Sequence, residues 1–108
     1  MGLAELAYRI TRRFPKDELY GMTGQIRRSA VSIAANIAEG HRRENSGAFV
    51  QYLRMSQGSL KELETHLMLA MRVELAREEE VAPFLKRCDD LGKMTRSLIR
   101  SIQRRDAK

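Results

Sequence analysis

Apolar positions recur along this chain at helical spacing and predict four helices. Leu3, Leu6, Ile10 and Phe14 share one face of a first helix over 3–14. Phe14-Pro15 ends it, because a residue before proline avoids the helical region. The second helix is predicted over 17–39. Asp17 and Glu18 suit its N-terminus, and Gly40 suits a C-terminal cap. Its core face is Leu19, Met22, Ile26, Ala30, Ile33 and Ile37. A polar loop follows, and Asn45 or Ser46 can cap a third helix over 46–73. There Phe49, Leu53, Ser56, Leu60, Leu63, Leu67 and Ala70 alternate in steps of four and three. That is a heptad seam, the pattern of helices crossing at shallow angles. Fraying is expected over Glu74–Arg77. The fourth helix, 78–105, opens on Glu78-Glu79-Glu80, three acids favourable at a helix N-terminus. Pro83 fits a first turn. The expected seam of this helix is Phe84, Cys88, Leu91, Thr95, Leu98 and Ile102.

No strand pattern competes. Four amphipathic helices with short connections predict an all-α, antiparallel up-down-up-down four-helix bundle in a single domain, residues 1–108. The first helix is the shortest and is expected to leave the Leu67–Met71 end without cover. Within the second, Ser29–Ala38 carries no charge in a chain that is 31% charged. A surface helix of a small domain normally keeps a charged face. Cover by a second copy of the chain is therefore expected, with Val31, Ala34 and Ala38 as the contact stripe. Arg27, Arg28 and Glu39 flank that stripe and are expected in ion pairs, within the bundle or across a subunit interface. Ser29, Ser32 and Asn36 are expected to form a satisfied polar seam between helices.

Composition narrows the class. There is no apolar run near 18 residues, hence no membrane span, and no charged-then-apolar leader. A cytoplasmic protein is the default expectation. The single cysteine, Cys88, excludes an internal disulfide and reads as a core residue.

Charge changes the picture more. The net charge is +6, but it is segregated. Residues 1–16 carry +3, residues 17–83 carry −2 and residues 84–108 carry +5. First and fourth helices are neighbours in an up-down-up-down bundle, so the two basic ends are expected to meet. Lys86, Lys93, Arg96, Arg100 and Arg104 fall within a sector of about 80°. Arg9, Arg12 and Arg13 lie off the core face of the first helix, and Arg42 and Arg43 sit in the loop after the second. These ten residues are the candidate nucleic-acid contacts. Few aromatics interleave with them, which favours phosphate contact over base reading.

Enzyme chemistry finds little support. A carboxylate-bridged dimetal bundle needs Glu-x-x-His on two helices. This chain has only His41, in a loop, and His66, preceded by Glu62 and Glu64 at the wrong spacings. No nucleophile motif or Gly-rich phosphate loop occurs. No metal, cofactor or catalytic residue is expected.

Five motifs then carry a resemblance: Phe14-Pro15, Glu18-x-Tyr20-Gly21, Gln25-x-Arg27-Arg28, Ser32-Ile33-x-x-Asn36-Ile37-Ala38-Glu39-Gly40 and Gly58-Ser59-x-x-Glu62-x-Glu64-Thr65. With Glu78-Glu79-Glu80 and Leu91-Gly92-Lys93-Met94, they resemble a bacterial four-helix-bundle family. It is named for proteins encoded in intervening sequences of large ribosomal RNA genes, and includes accessory variability proteins of diversity-generating retroelements. The resemblance implies a homopentamer without known enzymatic activity. For the retroelement branch it implies nucleic-acid binding beside a reverse transcriptase. It also implies a longer first helix, so this chain is expected to begin inside that helix. The other reading is a scaffold or protein-interaction module with no direct nucleic-acid contact.

Overall fold

The heptad seam of the third helix runs through the middle of the molecule, a computed structural model that describes residues 2–107. Four helices, α1 (Leu3–Thr11), α2 (Gly24–His41), α3 (Ser46–Arg72) and α4 (Glu78–Asp106), make an antiparallel bundle. It measures 52 × 22 × 20 Å. α3 packs against both α2 and α4, and α1 lies against the same two helices. Leu53, Ser56, Leu60, Leu63, Leu67 and Ala70 are all buried, as their spacing requires.

The shortness of α1 divides the core in two. Ala7, Ile10 and Phe14 join Leu60, Leu63, Leu67, Val81 and Phe84 in a four-helix end. Beyond the start of α1, Leu53, Ile99 and Ile102 form a smaller, three-helix core with Ile37, Phe49 and Leu98 at its margin. The thinly covered end is therefore the reverse of the one expected. Leu67 and Ala70 are fully buried, because α1 runs antiparallel to α2 and its C-terminal residues close that end.

The connection into α2 departs furthest from the predicted pattern. α1 stops at Thr11, and the Phe14 N–H donates to the Thr11 carbonyl at 3.0 Å. A 3-10 turn, Lys16–Glu18, and a wide π-type turn, Leu19–Thr23, replace the predicted first turns of the second helix. Gly21 leaves the helical region there, at φ −102° and ψ −116°. The kink rotates Leu19 out of the core, where it is 46% exposed, and Phe14 takes the buried place. At Gly24 a Cβ would stand 2.7 Å from the Leu19 carbonyl oxygen, so the turn closes only over a glycine.

Other predicted boundaries shift for identifiable reasons. α2 continues through Gly40 to His41, and no glycine among the described residues has positive φ. Gly40 serves close packing rather than capping: a Cβ there would lie 2.9 Å from the Phe49 ring. Asn45 caps α3, its Oδ1 accepting the Ala48 N–H at 3.0 Å. The end of α3 does not fray. Glu74 adopts the left-handed conformation, φ 65°, and the Leu75 N–H donates to the Ala70 carbonyl at 2.8 Å. That is a Schellman closure with glutamate in the place glycine usually holds. α4 starts at Glu78 as predicted, but Pro83 sits in its second turn. The α4 seam is also displaced. Gly92 and Ile99 are buried where Leu91 and Leu98 were expected, and the latter two are only partly covered.

Between α2 and α3 the polar seam is satisfied. Asn36 Nδ2 donates to the Ser32 carbonyl at 2.9 Å, and Ser32 and Ser59 hydroxyls share a hydrogen bond at 2.9 Å. Ser56 donates to the Ile33 carbonyl at 3.2 Å.

Candidate nucleic-acid interface

Sequence spacing alone gathers ten basic residues into one expected surface; the structure sorts them by partner. Lys86 donates to Asp90 at 2.7 Å, and Lys93 meets Asp89 at 3.1 Å, each pair one helical turn apart. The hydrogen bond and charge of Asp90 raise the pKa of Lys86 above its ordinary value. The hydrogen bond from Lys93, then its charge, holds the Asp89 carboxyl below the usual carboxylate range, with Lys86 and Arg96 adding smaller attractions. Arg42 and Arg43 both reach Glu39, at 3.4 and 2.6 Å, and Arg43 also stacks on Tyr52. Arg13 pairs with Glu80 across the α1–α4 boundary.

Arg96, Arg100 and Arg104 differ. They make no ion pair among the described residues. Long, neutral contacts hold two of them, Arg100 to the Ser97 hydroxyl and Arg104 to the Arg100 carbonyl, both at 3.5 Å. Their spacing sets successive charges about 6 Å apart along α4. Across from them α3 contributes Arg54, which the predicted pattern missed. Arg54, Arg96 and Arg100, with Gln57 and Gln103, line a groove between the C-terminal half of α4 and the N-terminal half of α3, and Arg104 lines a neighbouring hollow on α4 with Arg100 and Gln103. Toward the middle of the molecule a neighbouring hollow is lined by two acids, Glu64 and Asp89, and two bases, Lys61 and Arg96. Arg54 was legible in principle: it follows the seam residue Leu53 directly, on the side that α4 flanks.

The first-helix arginines do not join this groove. Arg9 and Arg13 line a separate cavity against α4, where they meet Arg87, a second residue the predicted pattern missed. Arg12 lines another hollow, with Lys16 and Arg27. The two basic ends thus meet as expected, but at Arg87 rather than at the charged stripe of α4.

The expected interface residues lie along α2. Val31 is 46% exposed, and Ala34 and Ala38 are exposed beside it. Arg27 has neutral partners instead of an ion pair: its Nε donates to the Thr11 hydroxyl at 2.9 Å, and its guanidinium lies 4.4 Å from the centre of the Tyr8 ring. Arg28 is exposed and makes no ion pair among the described residues. Glu39 is held by its own helix end, through Arg42 and Arg43.

Cys88 is buried in the four-helix core, and burial, with the nearby Glu64 charge, pushes its thiol up to about 12. It is a poor nucleophile at neutral pH. No group of three His, Cys, Asp or Glu side chains suited to a metal occurs among the described residues. None of their helices is long and apolar enough to cross a membrane.

Comparison with known proteins agrees with the fold. The profile of the 23S rRNA-intervening sequence proteins matches residues 1–97. A crystal structure of a protein of unknown function from the S23 ribosomal protein family of Bacteroides thetaiotaomicron superposes with a TM-score of 0.77. It is 29% identical, over 88% of this chain and 92% of that one. No curated protein matches.

Proposed function

This chain belongs to the 23S rRNA-intervening sequence protein family, and from that premise we propose that it binds nucleic acid without catalysing a reaction. The observation that carries the reading is the groove of Arg54, Arg96 and Arg100, with Arg104 in the hollow beside it, four guanidinium groups none of which is in an ion pair among the described residues. Uncompensated arginines along a groove attract a polyanion, and planar guanidinium forks match phosphate oxygens. No aromatic side chain lines this groove, so contact with the backbone is favoured over stacking on bases. The test is a polarisation titration with structured RNA and with duplex DNA at two salt concentrations. Binding that weakens steeply with salt is expected. No binding to either at about 50 mM salt would instead favour a scaffold.

We further propose that α2 mediates self-association. The support is Val31, Ala34 and Ala38, a smooth exposed stripe on a helix with no charge between Ser29 and Ala38. Light scattering at micromolar concentration is expected to report an oligomer, and Ala34→Glu to dissociate it. A monomer would overturn this reading. The homopentamer and the reverse transcriptase partner rest on family resemblance alone. A reverse transcriptase gene beside this one would support the second.

A further inference from the structure

We propose that the hollow where α1 turns toward α2 binds an organic phosphate monoester, with its dianionic head among basic side chains and its organic body on an apolar wall. The hollow holds about 360 Å³, within the range of about 300–1,000 Å³ usual for small-molecule sites. Arg12, Lys16 and Arg27 line it, and no acid does. Arg12 and Lys16 are exposed and make no ion pair among the described residues. Arg27 is fixed in place. Its Nε donates to the Thr11 hydroxyl at 2.9 Å, and its guanidinium lies 4.4 Å from the centre of the Tyr8 ring. The Thr11 hydroxyl is itself anchored, donating to the Ala7 carbonyl at 2.7 Å. This clamp uses only the Nε donor of Arg27. Both terminal nitrogens are left without a hydrogen bond among the described residues.

Thr23 is an independent sign of a ligand. It lines the hollow, is only 4% exposed, and its hydroxyl makes no hydrogen bond among the described residues, not even as a cap on α2. No fully covered side-chain oxygen among those residues lacks a partner, so this hydroxyl meets solvent through the little exposure it keeps. A hydroxyl so enclosed ordinarily bonds within the protein. Here its partner is whatever enters the hollow. Phe14, Pro15 and Leu19 supply the apolar wall. The turn over Leu19–Thr23 builds the site, because the kink that rotates Leu19 out of the core sets it beside Thr23. Three cations and a hydroxyl, with no acid lining, suit a head of about two negative charges and three acceptor oxygens. A carboxylate brings one charge and two oxygens. Bare phosphate leaves Pro15 and Leu19 wet. None of these residues lines the arginine groove, so the site does not rest on the nucleic-acid reading.

The experiment is calorimetric titration of the full chain with phenyl phosphate at fixed ionic strength, set against benzoate and inorganic phosphate. Saturable binding of phenyl phosphate at one site per chain is expected. Benzoate, which lacks the second charge, and inorganic phosphate, which lacks the body, should each bind at least about tenfold more weakly. Thr23→Val keeps the branched shape and removes the hydroxyl. It should weaken phenyl phosphate about tenfold with unchanged helical circular dichroism, and Arg12→Gln should do the same. Leu19→Ser should weaken phenyl phosphate about fivefold and inorganic phosphate not at all. Arg96→Gln with Arg100→Gln, in the groove, should leave phenyl phosphate binding unchanged. A trinucleotide with and without a terminal phosphate identifies the source. Tighter binding of the phosphorylated strand, lost in Thr23→Val, assigns a strand end, and equal binding of the two strands assigns a free ester. The proposal falls if phenyl phosphate does not saturate at millimolar concentration, or if benzoate or inorganic phosphate binds as tightly. It falls equally if Thr23→Val leaves binding unchanged, or if the groove variant weakens it as much as Arg12→Gln does.

Discussion

Along the N-terminal half of α4, Lys86 and Lys93 each sit one turn from an aspartate, and Glu80 holds Arg13 of α1. Along its C-terminal half, Arg96 and Arg100 share a groove with Arg54, Arg104 lies in the next hollow, and no acid lines either. The two halves carry similar numbers of basic residues on one continuous helix. What separates them is compensation, and the second half presents charge that a polyanion can use. The core divides at much the same place. The compensated half packs in the four-helix end, and the uncompensated half covers the smaller three-helix core.

The sharpest way to break this contrast is to delete a leucine from each core. Leu67→Ala and Leu53→Ala should each cost about 2–5 kcal/mol in urea denaturation, since both side chains are buried. Leu67 is enclosed by four helices and should fall at the upper end. Leu53 has three helices around it that can collapse into the space, so it should fall lower. Equal losses would show that the three-helix end is as rigid as the other.

Binding sharpens the contrast next. Changing Arg54, Arg96, Arg100 and Arg104 together to Gln should flatten the slope of log affinity against log salt by about 3, from roughly 0.7–0.9 per phosphate released. Lys86→Gln with Lys93→Gln should change it by less than about 1, because their charges are already matched. Equal effects from the two sets would dissolve the distinction between the halves.

The smallest effects lie in the two connections. Glu74 holds a left-handed conformation that glycine adopts freely, so Glu74→Gly should raise stability by about 1 kcal/mol. Asn45→Ala, which removes the α3 cap, should lower it by about 1 kcal/mol. Thermal unfolding of the two variants beside the parent chain reads both signs.

How much of this was legible in the sequence depends on the physical scale of each feature. The α3 seam was readable because seven positions repeat one period and six of them are buried, with Phe49 at the margin. The start of α4 was readable because acids and helix dipole agree. The turn over Leu19–Thr23 was not, since it depends on the Leu19 carbonyl passing over Gly24, a contact made only after folding. The same turn removed Leu19 from the predicted core. Among the charges, the pairing of Lys86 with Asp90 and of Lys93 with Asp89 was implicit in their four-residue spacing. Arg54 and Arg87 were missed because each acquires its role from a residue on another helix.

The serine and asparagine seam between α2 and α3 bears on the uniqueness of the packing. Leu53, Leu60 and Leu67 repeat every seven residues, so a ladder of leucines alone tolerates sliding by one heptad with its knobs still seated. Ser56 and Ser59 do not repeat in that way. Slid by a heptad, Leu63 would arrive at the Ile33 carbonyl, where Ser56 now donates. His66 would stand where Ser59 meets Ser32, a bulky ring in the place of a hydroxyl. A small polar contact thus acts as an index mark, admitting one alignment among several that the apolar pattern alone would allow.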